Sequence, residues 1–508
     1  MLNARQIAFR ARAEPNTQDH IKYLSAPVGS GKTAEIIESI KRNQDRNYIF
    51  VSPTQKLARE IKNRLDAALV DNGQGENVYL ITSEAIGPEP VVETALEFIT
   101  HQTTQPHTLI ITTETFRRLL PQTSAEQKAV YDVFMDEGID PLESEELKTE
   151  RQGVFLEPIS QEEDGSIHVR EEHEDLIRAV SYGQAASFNR EELNVSAYIK
   201  ICKLLSSDIY DVYASIGPES IRVIAFLRPD YFLQFRSVSI LMAIFEQSLL
   251  CLFWREKYDI NFQQYETTHD LYDTHTRKGP QIRIHHLLHE GDKASSLNLK
   301  RNWRTGEQNV PARSNLRVID RMAEIINDEF GLQNIPYCWA ANSYFKNPYQ
   351  LLTPQSEMPA NSAGLNEYRL FPNVVSLLSM NPPPWVKNMV LEQIQISDED
   401  FYALWKLSYT YQTIGRCSLR IRNFEDEIRL VVLSNDCAER LADLFTGATV
   451  EGQLGNLPHF GGMRRGRGLA RNGRRYPDAA NTAWSRYREE NPNTPLSKEE
   501  WFENVFQQ

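Results

Sequence analysis

Residues 26–33 read Ala-Pro-Val-Gly-Ser-Gly-Lys-Thr, between the apolar run Ile21-Lys-Tyr-Leu24 and a stretch to about Arg42 that carries Ile36, Ile37 and Ile40. Helical spacing after a short apolar run predicts a strand, a glycine turn and a helix. In such a loop Pro27, Val28, Gly29, Ser30 and Gly31 let backbone N–H groups turn inward on phosphate oxygens. Lys32 can reach the β/γ-phosphates and the Thr33 hydroxyl can hold Mg²⁺. Phosphate would then meet the positive end of a helix dipole. Ala26 stands where the general pattern has glycine.

At 508 residues, 41% of them hydrophobic and 24% charged, the chain has the composition of two or three ordinary globular domains. No apolar run approaches the ~18 residues of a membrane span; the richest, Ile240 to Trp254, is broken by Glu246 and Gln247. The five cysteines lie far apart without a CxxC pair, which points to reduced thiols in a cytosolic compartment and away from a zinc site. A net charge of −14 removes any global basic field, so nucleic acid could be held only in a local groove.

From 20 to about 137 apolar runs alternate with helical stretches: strands at 48–52, 78–82, 108–112 and 130–135, helices at 55–69 and 91–99. That alternation predicts a parallel sheet covered by helices, with a ligand loop at its first βα turn. Residues 140–235 lose the beat, carry acidic runs and read as an insertion, partly helical around 195–205. A helix at 316–330 and strands at 336–340, 374–378 and 429–433 then suggest a second α/β domain. Six arginines among glycines at 461–475 read as a basic linker, followed by a short helical piece at about 483–490 and a second that starts with a capping box at Ser497.

A nucleotide site needs a carboxylate, and Phe134-Met-Asp-Glu137 closes an apolar strand with two acids. Asp136 is placed to bind Mg²⁺ through water and Glu137 to orient and deprotonate a water. The order of the phosphate loop, Val51-Ser-Pro-Thr-Gln-Lys-Leu-Ala-Arg-Glu60, Ile111-Thr-Thr and Asp136-Glu137 resembles superfamily II DEAD/DEAH-like helicases, in a phage or mobile-element style. The resemblance implies that Pro53, Thr54 and Arg59, with Thr112 and Thr113, lie beside a bound nucleic-acid strand. Tyr411-Gln-Thr-Ile-Gly-Arg-Cys-Ser-Leu-Arg420 is similar to the helicase Gln-x-x-Gly-Arg-x-x-Arg motif. By that likeness Gln412 touches the γ-phosphate region and Arg416 acts as an arginine finger. Arg420 comes one residue late, and a helix would keep it on the face of Arg416. Ser362-Ala-Gly-Leu-Asn-Glu367 looks like the Gly-Leu-Asp motif, implying nucleotide coupling through Gly364 and Asn366. Ser239-Ile-Leu-Met-Ala-Ile stands in the place of the Ser-Ala-Thr motif without its threonine.

The fold implied is α/β: two RecA-like parallel-sheet domains in tandem, at 1–262 (with the 140–235 insertion) and 263–447, and an Arg/Gly-rich linker with a helical tail at 448–508. The function implied is an ATP-dependent helicase or translocase, hydrolysing ATP with Mg²⁺ between the domains and tracking DNA or RNA, more readily a single strand. Two alternatives stay open. One is a non-translocating ATPase switch or scaffold that recruits a protein through the insertion or residues 460–508. The other is a packaging-type ATPase, although residues 265–447 lack the acidic cluster of its nuclease. The tail reads equally as a strand-binding arm or as a solubilising linker.

Overall fold

The structure is a computed structural model. It describes residues 21–459 and Tyr487, apart from 70–76, 88–89, 102–104, 149–155, 183–194, 277–280, 309, 312–315, 346, 348 and 361–366. Gly364, Asn366 and the arginine-rich stretch fall outside the described residues.

The chain opens with β1 (Ile21–Ser25) and α1 (Lys32–Arg42), then β2 (Asn47–Ser52), α2 (Gln55–Leu69), β3 (Val78–Ile81) and α3 (Val91–Thr100). β4 (Thr108–Thr112), α4 (Thr113–Leu119) and β5 (Tyr131–Asp136) follow. Strand side chains alternate between the two faces of this first sheet. Ile49, Val51, Leu109, Ile111, Val133 and Met135 meet α3 and α4 on one side. Tyr48, Phe50, Ile110 and Phe134 meet α1 and α2 on the other. A strand buried on both faces has no polar side to show, which is why Tyr48-Ile-Phe-Val-Ser52 is a continuous buried run.

After β5 the chain leaves this sheet. β6 (Leu142–Lys148), the hairpin β7 (Ile159–Gln161) and β8 (Ile167–Val169), α5 (Glu174–Ser181), α6 (Val195–Leu205), β9 (Tyr210–Ile216) and β10 (Ser220–Leu227) form the insertion. Its centre is an antiparallel sheet ordered β6-β10-β9, with α5 and α6 packed on one face. The sequence pattern shows the helix but not this sheet, because the acidic residues of β6 (Glu143, Glu145, Glu146) hide its alternation. The chain returns as β11 (Ser237–Met242), α7 (Leu249–Tyr258) and the short β12 (Gln263–Gln264). The first sheet is ordered β12-β1-β11-β5-β2-β4-β3, and all its pairings are parallel.

β13 (Ile282–His286), α8 (Val318–Ile326), β14 (Tyr337–Ala341), β15 (Glu357–Met358), β16 (Asn373–Leu377), α9 (Pro384–Gln393), α10 (Asp398–Ile414), β17 (Ile428–Val432), α11 (Asn435–Leu444) and β18 (Thr449–Gln453) complete the described fold. The second sheet, β15-β14-β16-β17-β13-β18, is parallel throughout. α10 and α11 cover one face and α8 the other. The architecture is thus two RecA-like parallel sheets in tandem.

α9 and the first turns of α10 cross between them. Val386, Met389 and Val390 of α9, Ile394 just after it and Phe401 of α10 pack in the core of the first sheet and insertion, although both helices follow a strand of the second sheet. The Gln393 side chain also donates to the Asp164 carbonyl of the insertion, at 3.2 Å.

Candidate active site

The carboxyl ends of β1, β2, β4 and β5 carry the residues singled out in the first sheet, as open parallel sheets require. Gly29 (φ +77°) and Gly31 (φ +101°) take left-handed backbone, turning the chain tightly into α1. Lys32 is buried, and its Nζ donates to the carbonyls of Ala26 (2.6 Å) and Pro27 (3.1 Å). Burial pushes the ammonium below its ordinary pKa, and Glu137 and Asp136 pull it back.

Thr33 Oγ1 donates to Asp136 Oδ2 at 3.1 Å. Burial raises the Asp136 carboxyl to about 6, Glu137 adds to the rise and Lys32 opposes it. A hydroxyl and a carboxylate side by side are hard oxygen donors of the kind Mg²⁺ takes. Among the described residues no group of three His, Cys, Asp or Glu could hold a metal by itself. Thr33 and Asp136 supply two oxygens of the kind such an ion takes.

The raised value carries a stability consequence. The folded protein keeps a proton that the unfolded carboxyl, with its ordinary value of 3.8, has released. Stability is thus fully present below about pH 4 and is lost as pH rises through about 6. Asp136→Asn is expected to raise the melting temperature of nucleotide-free protein by a few degrees at pH 7.5. The gap should close as pH falls through 6; a gap independent of pH would contradict this.

The second sheet's unit supplies the other wall. Gln412 Nε2 donates to Glu137 Oε2 at 3.2 Å, and Arg416 Nη2 to Glu137 Oε1 at 3.4 Å. Arg416 is 1% exposed and its Nε has no partner among the described residues. α10 ends at Ile414 with Gly415 as its cap, so Arg416 and Arg420 do not share a helical face. Instead a 3₁₀ turn, Ser418–Arg420, brings Arg420 back, and its Nε donates to the Gly415 carbonyl at 2.8 Å. Burial and the neighbouring Arg416 push Arg420 down to about 10. Two glycines make the approach possible. A Cβ on Gly415 would overlap Val28, and one on Gly29 would lie 2.8 Å from Arg420 Cγ.

The cleft so formed, about 180 Å³, is lined by Val28 through Ala34, Asp136, Glu137, Arg416 and Arg420, and runs on to Leu57, Glu60 and Arg64 of α2. Sequence reasoning missed Tyr411. Its Oη accepts from Val28 N–H at 3.2 Å and lies 2.6 Å from Nε2 of His275, an imidazole whose pKa burial lowers. It also missed the connector between the sheets, where Tyr272 N–H donates to the Ser30 carbonyl and Thr268 to Glu35. Tyr411 stands next to Gln412 in a motif already noted, whereas the connector's bonds are long-range and leave no local signal.

Thr54 and Thr112 cap the starts of α2 and α4 by accepting from Leu57 and Thr115 N–H, and Thr113 Oγ1 donates to the Ser52 carbonyl. Pro53 and these threonines share one edge, apart from the phosphate loop, and Arg59 is ion-paired with Glu84. Ser239 lies mid-strand and buried, so the loop at the end of β11 is Ala243 to Gln247, not the Ser239 segment.

No family profile and no curated sequence matches the chain. Among solved structures it is similar to Xpd4 of S. tokodaii, at 10% identity over 89% of this chain and 98% of that one, TM-score 0.42. It is also similar to Dbp5 of S. cerevisiae bound to RNA and ADP BeF3, at 10% identity over 88% of each chain, TM-score 0.35. A third is the DEAD-box helicase Mss116 bound to ssRNA and UDP-BeF, at 11% identity over 98% of this chain and 86% of that one, TM-score 0.35. Overlaps this partial leave function to be argued from the residues of the cleft.

Proposed function

We propose that this protein is a nucleic-acid-dependent ATPase of the superfamily II helicase type, hydrolysing ATP in the cleft between its two parallel sheets. The observation that carries the reading is Glu137, an acid at the end of β5 met by Gln412 and Arg416 from the other unit. Lys32 and the loop N–H groups bind the β/γ-phosphates, and Glu137 orients a water and takes its proton. Arg416 and Arg420 meet the charge that develops on the transferred phosphoryl oxygens. Mg²⁺ held by Thr33 and Asp136 would neutralise phosphate charge. Cleft opening and closing would shift Pro53, Thr54, Thr112 and Thr113 along a DNA or RNA strand.

The test is ATPase activity across single- and double-stranded DNA and RNA. Lys32→Ala is expected to lower the strand-stimulated rate by roughly 10²-fold, the scale of removing one donor to a developing oxyanion. Full stimulated activity in that variant would overturn the reading.

A second reading, a switch or scaffold that does not translocate, is favoured by α9. Its packing in the first unit's core ties the two units at a point away from the cleft. Strong ATP hydrolysis without strand displacement or translocation would select it.

A further inference from the structure

The loop after β13 carries a cluster that the ATPase chemistry does not use. Between 300 and 321 the chain has six basic residues against two acids, Glu307 and Asp320, in a protein whose net charge is −14. Asp320 is committed to Arg317 in a buried, bidentate pair. Lys300, Arg301 and Arg304 make no ion pair among the described residues. Aromatic rings hold two of these cations instead, and Trp303 also takes Arg321, which is ion-paired with Glu324. Arg304 lies 4.7 Å and Arg321 5.5 Å from the Trp303 ring, and Lys300 Nζ lies 4.6 Å from the Tyr344 ring.

The backbone explains the grouping. Val318 N–H donates to the Arg301 carbonyl and Trp303 N–H to the Leu316 carbonyl, with Asn302 bridged antiparallel to Arg317. Arg301 and Trp303 thus flank Asn302, the one residue of this stretch bridged to Arg317. Tyr344 reaches them from the carboxyl end of β14, the edge at which parallel sheets hold ligands.

Three polar atoms here are buried without a partner among the described residues: Arg301 Nε, Trp303 Nε1 and Tyr344 Oη. Arg301 is only 6% exposed. Buried polar groups are ordinarily satisfied, and the first two are pure donors, so the site lacks an acceptor. A ligand rich in anionic oxygen with flat apolar faces supplies what is missing.

We propose that this cluster is a strand-binding site on the second sheet's unit, where a single-stranded nucleic acid lays a base on Trp303 and a phosphate against Arg301, Lys300 and Arg304. It rests on the ATPase reading for its role but not for its existence. Exposed Arg304 is free to swing from the ring to phosphate as the base takes its place. Nucleic acid is favoured over an acidic peptide because carboxylates alone would leave the aromatic face without a stacking partner.

The test is fluorescence anisotropy of the full chain with labelled 20-mers of oligo-dT and oligo-rU, without nucleotide and over a salt series. Trp303→Ala is expected to weaken binding by about tenfold with little change in salt slope, as removing one stacked base does, and Trp303→Phe to recover most of it. Lys300→Gln with Arg304→Gln, both exposed and so harmless to folding, is expected to reduce the slope by about 0.7 for each phosphate no longer neutralised. Unchanged affinity and slope in the double variant, or unchanged affinity in a folded Trp303→Ala protein, would overturn the proposal. Binding that depends on these residues in a protein without ATPase activity would sink the ATPase reading and leave this one standing. Strand-stimulated ATPase with unaltered binding in the variants would do the reverse.

Discussion

Replacing Arg416 by alanine is expected to lower kcat for ATP hydrolysis by roughly 10³-fold or more, the scale of an arginine that meets the transferring phosphoryl group from across a cleft. Arg416 is nearly inaccessible, yet its Nε has no partner among the described residues and its one ion pair is a long contact with Glu137. A buried guanidinium so loosely held is poised for a partner with more oxygens than one carboxylate. Nucleotide binding also rests on Lys32 and the loop N–H groups, so nucleotide affinity should change far less than turnover. Arg416→Lys keeps the charge but not the planar fork and should recover only a small part of the rate. Single-turnover kinetics with a fluorescent nucleotide separates the two effects. A chemical step within about tenfold of the parent would remove Arg416 from the phosphoryl site.

The parts of this site that were legible in the sequence are those a local rule dictates. A phosphate loop needs glycine where φ is positive and a lysine at a helix start, and Gly29, Gly31 and Lys32 stand there. Parallel strands need unbroken apolar runs, so β2, β4 and β5 were visible within a residue or two. β13 was not, because Ile-Arg-Ile-His-His alternates like a half-exposed strand, although it lies between β17 and β18. The insertion's sheet was hidden in another way, by the acidic residues of β6. The helical reading of 411–420 failed at one residue: Gly415 closes α10, and without that stop Arg420 would not return to the loop. Contacts that depend on two distant segments meeting, such as Tyr411 on Val28 or α9 on the first core, have no local rule behind them.

Glu137→Gln is expected to keep nucleotide binding and lower kcat by roughly 10²–10⁴-fold, the usual contribution of a positioned general base. The amide matches the carboxylate in shape but cannot take a proton from water. Its backbone is left-handed (φ 68°), a conformation a non-glycine residue adopts only when its surroundings impose it, here just past the last residue of β5. Glutamine tolerates that backbone no worse than glutamate, so the fold should be indifferent to the exchange. The electrostatics should not be. Glu137 helps to raise the Asp136 pKa and is the largest influence opposing the burial-driven fall of Lys32. Neutralising it should therefore lower both. Protonation of Asp136 competes with Mg²⁺, so magnesium-dependent nucleotide binding by the parent should weaken as pH falls through about 6. In Glu137→Gln that weakening should move to lower pH. Titrating nucleotide affinity from about pH 5 to 8 in both proteins, across the limb set by Asp136, reads this without reference to turnover. An unshifted limb would mean that the two carboxylates do not share a field, and near-normal kcat would mean that the proton goes elsewhere.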